Sequence, residues 1–323
     1  MKAIIFTRYG SPDVLQRVDV PEPEPKDNQV KVKFVAASAN PLDWHLMRGA
    51  PFIARIGNGY FKPKNGVMGA DVAGRVTAVG KNVTRFKVGD EVFGCGEATF
   101  ADYVCISENM LALKPANVTF EEAASTPVVG FTAIQGLRDT GRIQAGDKVV
   151  IKGASGGVGS FAVQYARACG AEVTAVCSTR NVELVRSIGA HHVVDYTQTD
   201  FTRTGQQYDL IYDAVGNCSV AAYRRALTPT GRGVTAGFTS LFGIFAAALG
   251  GKWASKPGGQ QIGLMGTAKP NQDDLLVIQN LLETRKVVPV IDRCYDLAEA
   301  AEAIRYLETM RARGKVIITV QPD

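Results

Sequence analysis

Lys148-Val-Val-Ile-Lys-Gly-Ala-Ser-Gly-Gly-Val-Gly159 decides how this chain is read, because a short apolar strand runs into a glycine-rich turn that opens a helix. Gly153 suits a tight exit from the strand. Gly156 and Gly157 let backbone amides approach an anion with no Cβ in the way, and Gly159 allows close packing of helix on sheet. The spacing is Gly-x-x-Gly-x-x-Gly rather than the commoner Gly-x-Gly-x-x-Gly, so the flanking pattern must carry part of the inference.

The flanks do carry it. Val149 to Ile151 read as a buried strand, Ser160 to Cys169 as a helix with Phe161, Val163 and Ala166 turned inward, and Glu172 to Cys177 as a second strand. Strand patterns follow at His192 to Tyr196, Tyr208 to Asp213 and Gly233 to Ala236, with helical patterns between the first two pairs. Strands alternating with helices predict an α/β fold with a doubly wound parallel sheet, whose glycine turn holds a dinucleotide. The bland alternative is a turn with no ligand.

The first third of the chain is β-rich, with strands expected at Lys2 to Thr7, Gln29 to Ala37, Asp71 to Val79 and Asp90 to Phe93. Pro21, Pro23 and Pro25 make an extended connector. Thr119 with Glu122 is a capping-box pattern that opens helices over about Phe120 to Thr140. Beyond the sheet, Asp273 to Arg285 and Leu297 to Met310 have amphipathic helical spacing, and Lys315 to Val320 reads as a last strand.

At 323 residues, 46% hydrophobic and 21% charged, the chain is large enough for two cored domains. A net charge of +5 from scattered Lys and Arg carries no nucleic-acid or polybasic membrane signature. The opening MKAIIFTRYG is too short an apolar run for a signal peptide, and the longest apolar stretch, Leu241 to Leu249, is too short to span a bilayer. A cytoplasmic location is the expectation. Six cysteines (Cys95, Cys105, Cys169, Cys177, Cys218 and Cys294) are dispersed, which argues for reduced thiols.

Four segments together resemble the medium-chain dehydrogenase/reductase superfamily, in its zinc-independent quinone oxidoreductase and enone reductase branch. They are the opening MKAIIFTRYGSPDVL, the run Ser38-Ala-Asn-Pro-Leu-Asp-Trp-His-Leu-Met-Arg-Gly49, the pair Gly69-Ala-Asp-Val-Ala-Gly-Arg-Val-Thr-Ala-Val-Gly80 and Val88-Gly-Asp-Glu-Val-Phe93, and the glycine turn. The resemblance implies a GroES-like catalytic domain from residues 1–122 plus 269–323, an inserted Rossmann domain over 123–268, an active cleft between them, and a homodimer.

Zinc-dependent relatives hold a catalytic metal where, by resemblance, this chain has Asn40 and Ala70 in place of a cysteine and a histidine. A catalytic zinc needs about three protein ligands, and alanine has no donor. No tight Cys-x-x-Cys cluster marks a structural zinc either. With no metal expected, alcohol oxidation lacks a Lewis acid for its alkoxide. Hydride addition to a quinone or α,β-unsaturated carbonyl asks for less, because conjugation spreads the developing charge to an oxygen that hydrogen-bond donors stabilise.

The resemblance places the catalytic candidates in a loop: Asn40 near nicotinamide and substrate oxygen, Asp43 ordering the loop, and His45 as a proton donor. Two plainer readings stand beside these, His45 as an orienting hydrogen-bonder and Asn40 as a structural loop residue.

For the cofactor, an NAD-selective site offers Asp or Glu roughly twenty residues past the glycine turn. Here that place reads Cys177-Ser178-Thr179-Arg180-Asn181. Ser178 and Thr179 as donors and Arg180 as a partner for the 2′-phosphate point to NADPH. A solvated Arg180 is the alternative. The glycine turn contributes Gly153, Ser155, Gly156, Gly157, Val158 and Gly159. By resemblance or by position at the sheet's carboxyl edge, Thr132, Tyr196, Val215, Ala236, Gly237, Phe238 and Lys315 join the set. Tyr196 also reads as an edge aromatic, and Lys315 as a strand cap. Two further functional readings stay open at this point, an enoyl-thioester reductase and an NADPH-binding protein without turnover.

Overall fold

The computed structural model describes residues 1–56, 58–64, 66–237 and 258–320. The chain divides into two compact units, the first formed by Met1–Val128, Pro270–Arg285 and Pro289–Asp323, the second by Val129–Lys269 and Lys286–Val288.

The chain opens with strands β1 (Lys2–Ile5), β2 (Gln16–Asp19) and β3 (Gln29–Ala39), then helix α1 (Pro41–Arg48). Strands β4 (Asp71–Val79), β5 (Glu91–Cys95), β6 (Tyr103–Ser107) and β7 (Leu111–Leu113) follow, then helices α2 (Phe120–Ala124) and α3 (Pro127–Ile134). Next come β8 (Lys148–Lys152), α4 (Gly157–Ala168), β9 (Glu172–Cys177), α5 (Val182–Ser187), β10 (His192–Asp195), β11 (Tyr208–Asp213), α6 (Val220–Ala226), β12 (Leu227–Thr235) and β13 (Gln261–Leu264). The chain returns to its first unit through α7 (Gln272–Glu283), β14 (Ile291–Asp296), α8 (Ala300–Glu308) and β15 (Lys315–Thr319).

In the first unit a seven-stranded sheet runs β14-β15-β3-β4-β5-β7, with β6 also paired to β3. Its pairs are antiparallel except β14 with β15, which are parallel and joined through α8. Strand β3 is the spine. Its Val30, Val32 and Phe34 pack with Ile4, Phe6, Val72, Val76, Ile106, Ile304 and Ile318 in one buried cluster.

The second unit holds a six-stranded parallel sheet in the order β10-β9-β8-β11-β12-β13. That is the 3-2-1-4-5-6 order of dinucleotide-binding sheets, and it reverses between β8 and β11. Val149, Val150 and Ile151, like Leu210, Ile211 and Tyr212, are wholly buried, so these strands read as continuous apolar runs rather than alternating ones. The expected α/β architecture, a GroES-like β-rich part with an inserted Rossmann sheet, is the observed one.

The structure corrects several local expectations. Ser38 to Gly49 is not a loop: Pro41 at the first helical position and Gly49 in the left-handed conformation (φ +57°) bound a helix. The helical stretch from Phe120 breaks before Pro127, which disfavours helix in the residue ahead of it, and ends as a π-helical turn, Gln135–Thr140. Strand β12 begins at Leu227, earlier than its Pro229 and Gly231 suggest, because four of its residues lie between the pairings at Leu227 and Arg232 against one residue of β11. Strands β2, β6, β7, β13 and β14 are short or mixed in pattern and carry no clear period. Phe238 and the apolar run Leu241 to Leu249 lie outside the described residues.

Candidate active site

Strand register in the first unit builds a buried polar network. Val316 pairs with Ala39 across β15 and β3, which brings Lys315 beside Asn40. Lys315 Nζ donates to Asn40 Oδ1 at 2.6 Å and stands 3.5 Å from Asp71 Oδ2. Asp71, first residue of β4, is the hub. Its Oδ2 accepts from Ser38 Oγ (2.5 Å) and Asn40 Nδ2 (2.9 Å), and its Oδ1 from the Val128 N–H (2.9 Å). All four side chains and Asp43 are buried.

Asn40 is thereby saturated as a donor. One Nδ2 hydrogen goes to Asp71 and the other to the Ser38 carbonyl (3.1 Å), while Oδ1 takes the ammonium. Within the first unit both ends of the Asn40 amide are engaged. Asp43, on the first turn of α1, accepts the Asn40 N–H at 2.7 Å. Burial pushes the Asp43 carboxyl up to about 7, reinforced by Asp71 and opposed by the Asn40 and Gly69 N–H groups and by Lys315. Burial lowers the Lys315 ammonium, with Asp71 and Asp43 pulling the other way. Two carboxylates and one ammonium become neutral overall when Asp43 holds a proton.

Helix α1 is anchored at its far end by a two-pronged pair of Arg48 with Glu308 of α8. His45 projects between these anchors, half-buried, its ring 3.7 Å from that of Trp44 and its Nδ1 2.7 Å from the Ala50 carbonyl. That carbonyl only accepts, so Nδ1 carries the hydrogen, and Nε2 has one to give only when the ring is charged.

In the second unit the glycine turn sits at the carboxyl edge of β8, beside the reversal in strand order. Gly153 has φ +77°, and a Cβ on Gly159 would overlap the Gly153 carbonyl oxygen. The first intrahelical bond of α4 runs from the Ser160 N–H to the Gly156 carbonyl (2.8 Å), so the amides of Gly157, Val158 and Gly159 lie at the helix's open end. A dinucleotide pyrophosphate fits this cradle. Nearby, Asn181 Nδ2 donates to Ser155 Oγ (2.9 Å) and Ser178 Oγ (3.3 Å).

Other expected contacts are placed less directly. The Val215 and Gly216 amides donate to Asp213 Oδ1, each at 2.9 Å, so they shape the turn after β11. Ala236 N–H donates to the Asp213 carbonyl, and a Cβ on Gly237 would overlap the Ala214 carbonyl oxygen. Thr132 accepts the Tyr212 hydroxyl at its carbonyl (3.1 Å), and Tyr196 is 62% exposed after β10. Lys315, also an expected cofactor contact, lies within the Asn40 and Asp71 network of the first unit.

Two residues that the sequence reading does not single out matter here. Asp71 carried a signal, a carboxylate heading the apolar start of a strand, Val72-Ala73-Gly74. Asp195 adds a carboxylate next to Thr179 that residues 177–181 do not contain: the Thr179 hydroxyl donates to its Oδ2 at 2.5 Å, and that bond holds the Asp195 carboxyl below the usual range. Thr179 is therefore committed to Asp195, while Arg180 is exposed. β-Sheet pairing hid this contact, because Asp195 stands opposite Cys177 only across β9 and β10.

A β-rich domain carrying a buried Asn-Asp-Lys network, interrupted by a six-stranded dinucleotide-type sheet, defines a two-domain α/β dehydrogenase. Residues 26–116 match the family model of the alcohol dehydrogenase GroES-like domain, and residues 188–318 that of the zinc-binding dehydrogenases. The chain is 34% identical to a 2-methylene-furan-3-one reductase of Solanum lycopersicum, over 98% of this chain and 79% of that one. It is 33% identical to the chloroplastic NADPH-dependent alkenal/one oxidoreductase of Arabidopsis thaliana, over 98% and 79%. The solved quinone oxidoreductase of Coxiella burnetii superposes with a TM-score of 0.86 at 32% identity, over 99% of both chains. The chain belongs to the medium-chain dehydrogenase/reductase superfamily, in its branch of quinone oxidoreductases and enone reductases.

Among the described residues no group of three or more His, Cys, Asp or Glu is arranged to hold a metal ion, and no helix is long and apolar enough to cross a membrane.

Proposed function

We propose that this chain is an NADPH-dependent reductase that delivers hydride to a quinone or to the β-carbon of an α,β-unsaturated carbonyl, without zinc. The observation that carries it is the glycine cradle at the strand-order reversal, where Gly159 meets the Gly153 carbonyl too closely for any side chain. The named activities of the Arabidopsis and Coxiella relatives supply the acceptor class. When bound, the nicotinamide supplies two electrons as hydride, and one proton completes reduction of the conjugated system.

The chain's own residues divide the remaining work. Amides of Gly157, Val158 and Gly159 hold the pyrophosphate, and Ser178 with Arg180 faces the 2′-phosphate. The Lys315 ammonium bonded to Asn40 supports the zinc-free part, since a divalent cation ligated through Asn40 would face a neighbouring buried positive charge. His45, or water, supplies the proton. A cytoplasmic homodimer belongs to the same proposal; the six free thiols accord with a reducing compartment.

The test is NADPH oxidation by purified protein, followed at 340 nm, with 1,4-benzoquinone, 9,10-phenanthrenequinone, 2-alkenals and crotonyl-CoA, before and after chelator treatment. Turnover with a quinone or alkenal that survives chelation is expected. Tight NADPH binding with no acceptor reduced would overturn the catalytic reading, and loss of activity with chelator would overturn its zinc-free part.

A further inference from the structure

Asn181 is 5% exposed and stands between the two serines of the cofactor edge, Ser155 of the glycine turn and Ser178 after β9. Its Nδ2 contacts both hydroxyls, while its Oδ1 is buried with no hydrogen-bond partner among the described residues. Turned the other way, the amide would let that oxygen accept from either serine and would put both Nδ2 hydrogens in the unpartnered position instead. The two orientations have opposite consequences for an anion. When Nδ2 donates to a serine oxygen, the serine keeps its own O–H for a further acceptor. When Oδ1 accepts instead, both O–H groups are consumed and only lone pairs remain, which repel a phosphate oxygen.

We propose that Asn181 is a specificity-determining residue that sets the hydrogen-bond polarity of Ser155 and Ser178, keeping both hydroxyls as donors for a phosphorylated dinucleotide. The proposal rests on the NADPH reading above and adds a residue that acts through the two serines. Thr179 cannot substitute, since its hydroxyl is given to Asp195.

The test is calorimetric titration of the full chain with NADPH, NADH and 2′,5′-ADP, comparing wild type, Asn181→Asp, Ser178→Ala and the double variant. Aspartate keeps the shape, accepts from both serines and adds a charge. Asn181→Asp is expected to weaken NADPH and 2′,5′-ADP by roughly 10- to 100-fold, the range of one or two charge-assisted hydrogen bonds, with a much smaller effect on NADH. Ser178→Ala should weaken NADPH in the wild-type background and change little in the Asn181→Asp background. Equal losses for NADPH and NADH, or an Asn181→Asp protein that binds NADPH as wild type does, would overturn the proposal. If Asn181→Asp does not fold, Ser178→Ala carries the test: loss confined to the 2′-phosphorylated ligands supports it, and unchanged affinity overturns it. Wild type that binds none of the three ligands would overturn the cofactor reading itself.

Discussion

Lys315 Nζ donates to Asn40 Oδ1 across 2.6 Å although 275 residues separate them in sequence. That single bond fixes which way the Asn40 amide faces, and so commits its two N–H hydrogens to Asp71 and the Ser38 carbonyl. The same residue caps the start of α1, where its own N–H is held by Asp43.

Removing the ammonium should therefore unfold the network rather than trim the chemistry. Lys315→Met is expected to cost about 3–5 kcal/mol in urea unfolding, as breaking a buried pair does, because Asp71 is left buried beside Asp43. The pair Lys315→Met with Asp71→Asn should cost less than the sum of the single changes. Additive losses would show that the two groups do not act as a unit.

Asp43 makes the stability of the first unit depend on pH. Its folded value of about 7 lies above the ordinary carboxylate value of 3.8, so between these the folded chain holds a proton that the unfolded chain has lost. Stability from this group is present at low pH and lost as pH rises through about 7. Asn at position 43 keeps the acceptor for the Asn40 N–H and cannot titrate. The midpoint difference between wild type and Asp43→Asn should move in favour of the variant from pH 5 to pH 8; parallel curves would contradict the assignment.

The glycine turn separates two kinds of change. Gly159→Ala puts a methyl group into the Gly153 carbonyl oxygen and is expected to lower both the melting temperature and NADPH affinity. Gly156→Ala meets only that same oxygen at 3.6 Å, an ordinary contact, so the fold should survive. Its methyl group at the amide cradle should still weaken NADPH by about tenfold or more, a loss on the scale of one phosphate hydrogen bond. Thermal melts and binding titrations on the same preparations separate the two.

Arg180 and Asp195 should pull cofactor choice in opposite directions. Arg180→Ala is expected to raise the Michaelis constant for NADPH much more than that for NADH. Asp195→Asn removes a negative charge one hydrogen bond from Thr179, and should improve NADPH binding by a few-fold at low salt, with the gain shrinking as salt rises. Equal changes for the two cofactors in either variant would remove that residue from the 2′-phosphate site.

Much of the cofactor edge was legible in the sequence because its signals are local. Strand, turn and helix follow within residues 148 to 168, and Gly153 and Gly159 mark places where a Cβ collides. Parallel strands buried on both faces also announce themselves as apolar runs, so β8, β9 and β11 were readable to within a residue or two. The strands that escaped are short or polar on one side. Helix α1 hid behind Pro41, which reads as a loop marker and serves here as a first helical residue.

What the sequence by itself determined is the fold class and the dinucleotide turn, since propensity, glycine placement and apolar periodicity act over a few residues at a time, while Asn40, Asp43 and Lys315 became candidates only through the family resemblance. What only the tertiary structure decided is how those residues are wired. Lys315 reaches Asn40 through the register of β15 on β3, Asp71 joins them from β4, Asp195 finds Thr179 across β9 and β10, and Asn181 spans two serines from different loops. Hydrogen bonds are made between atoms a few ångström apart, and which distant residues come that close is set by sheet register and burial, which no local pattern records.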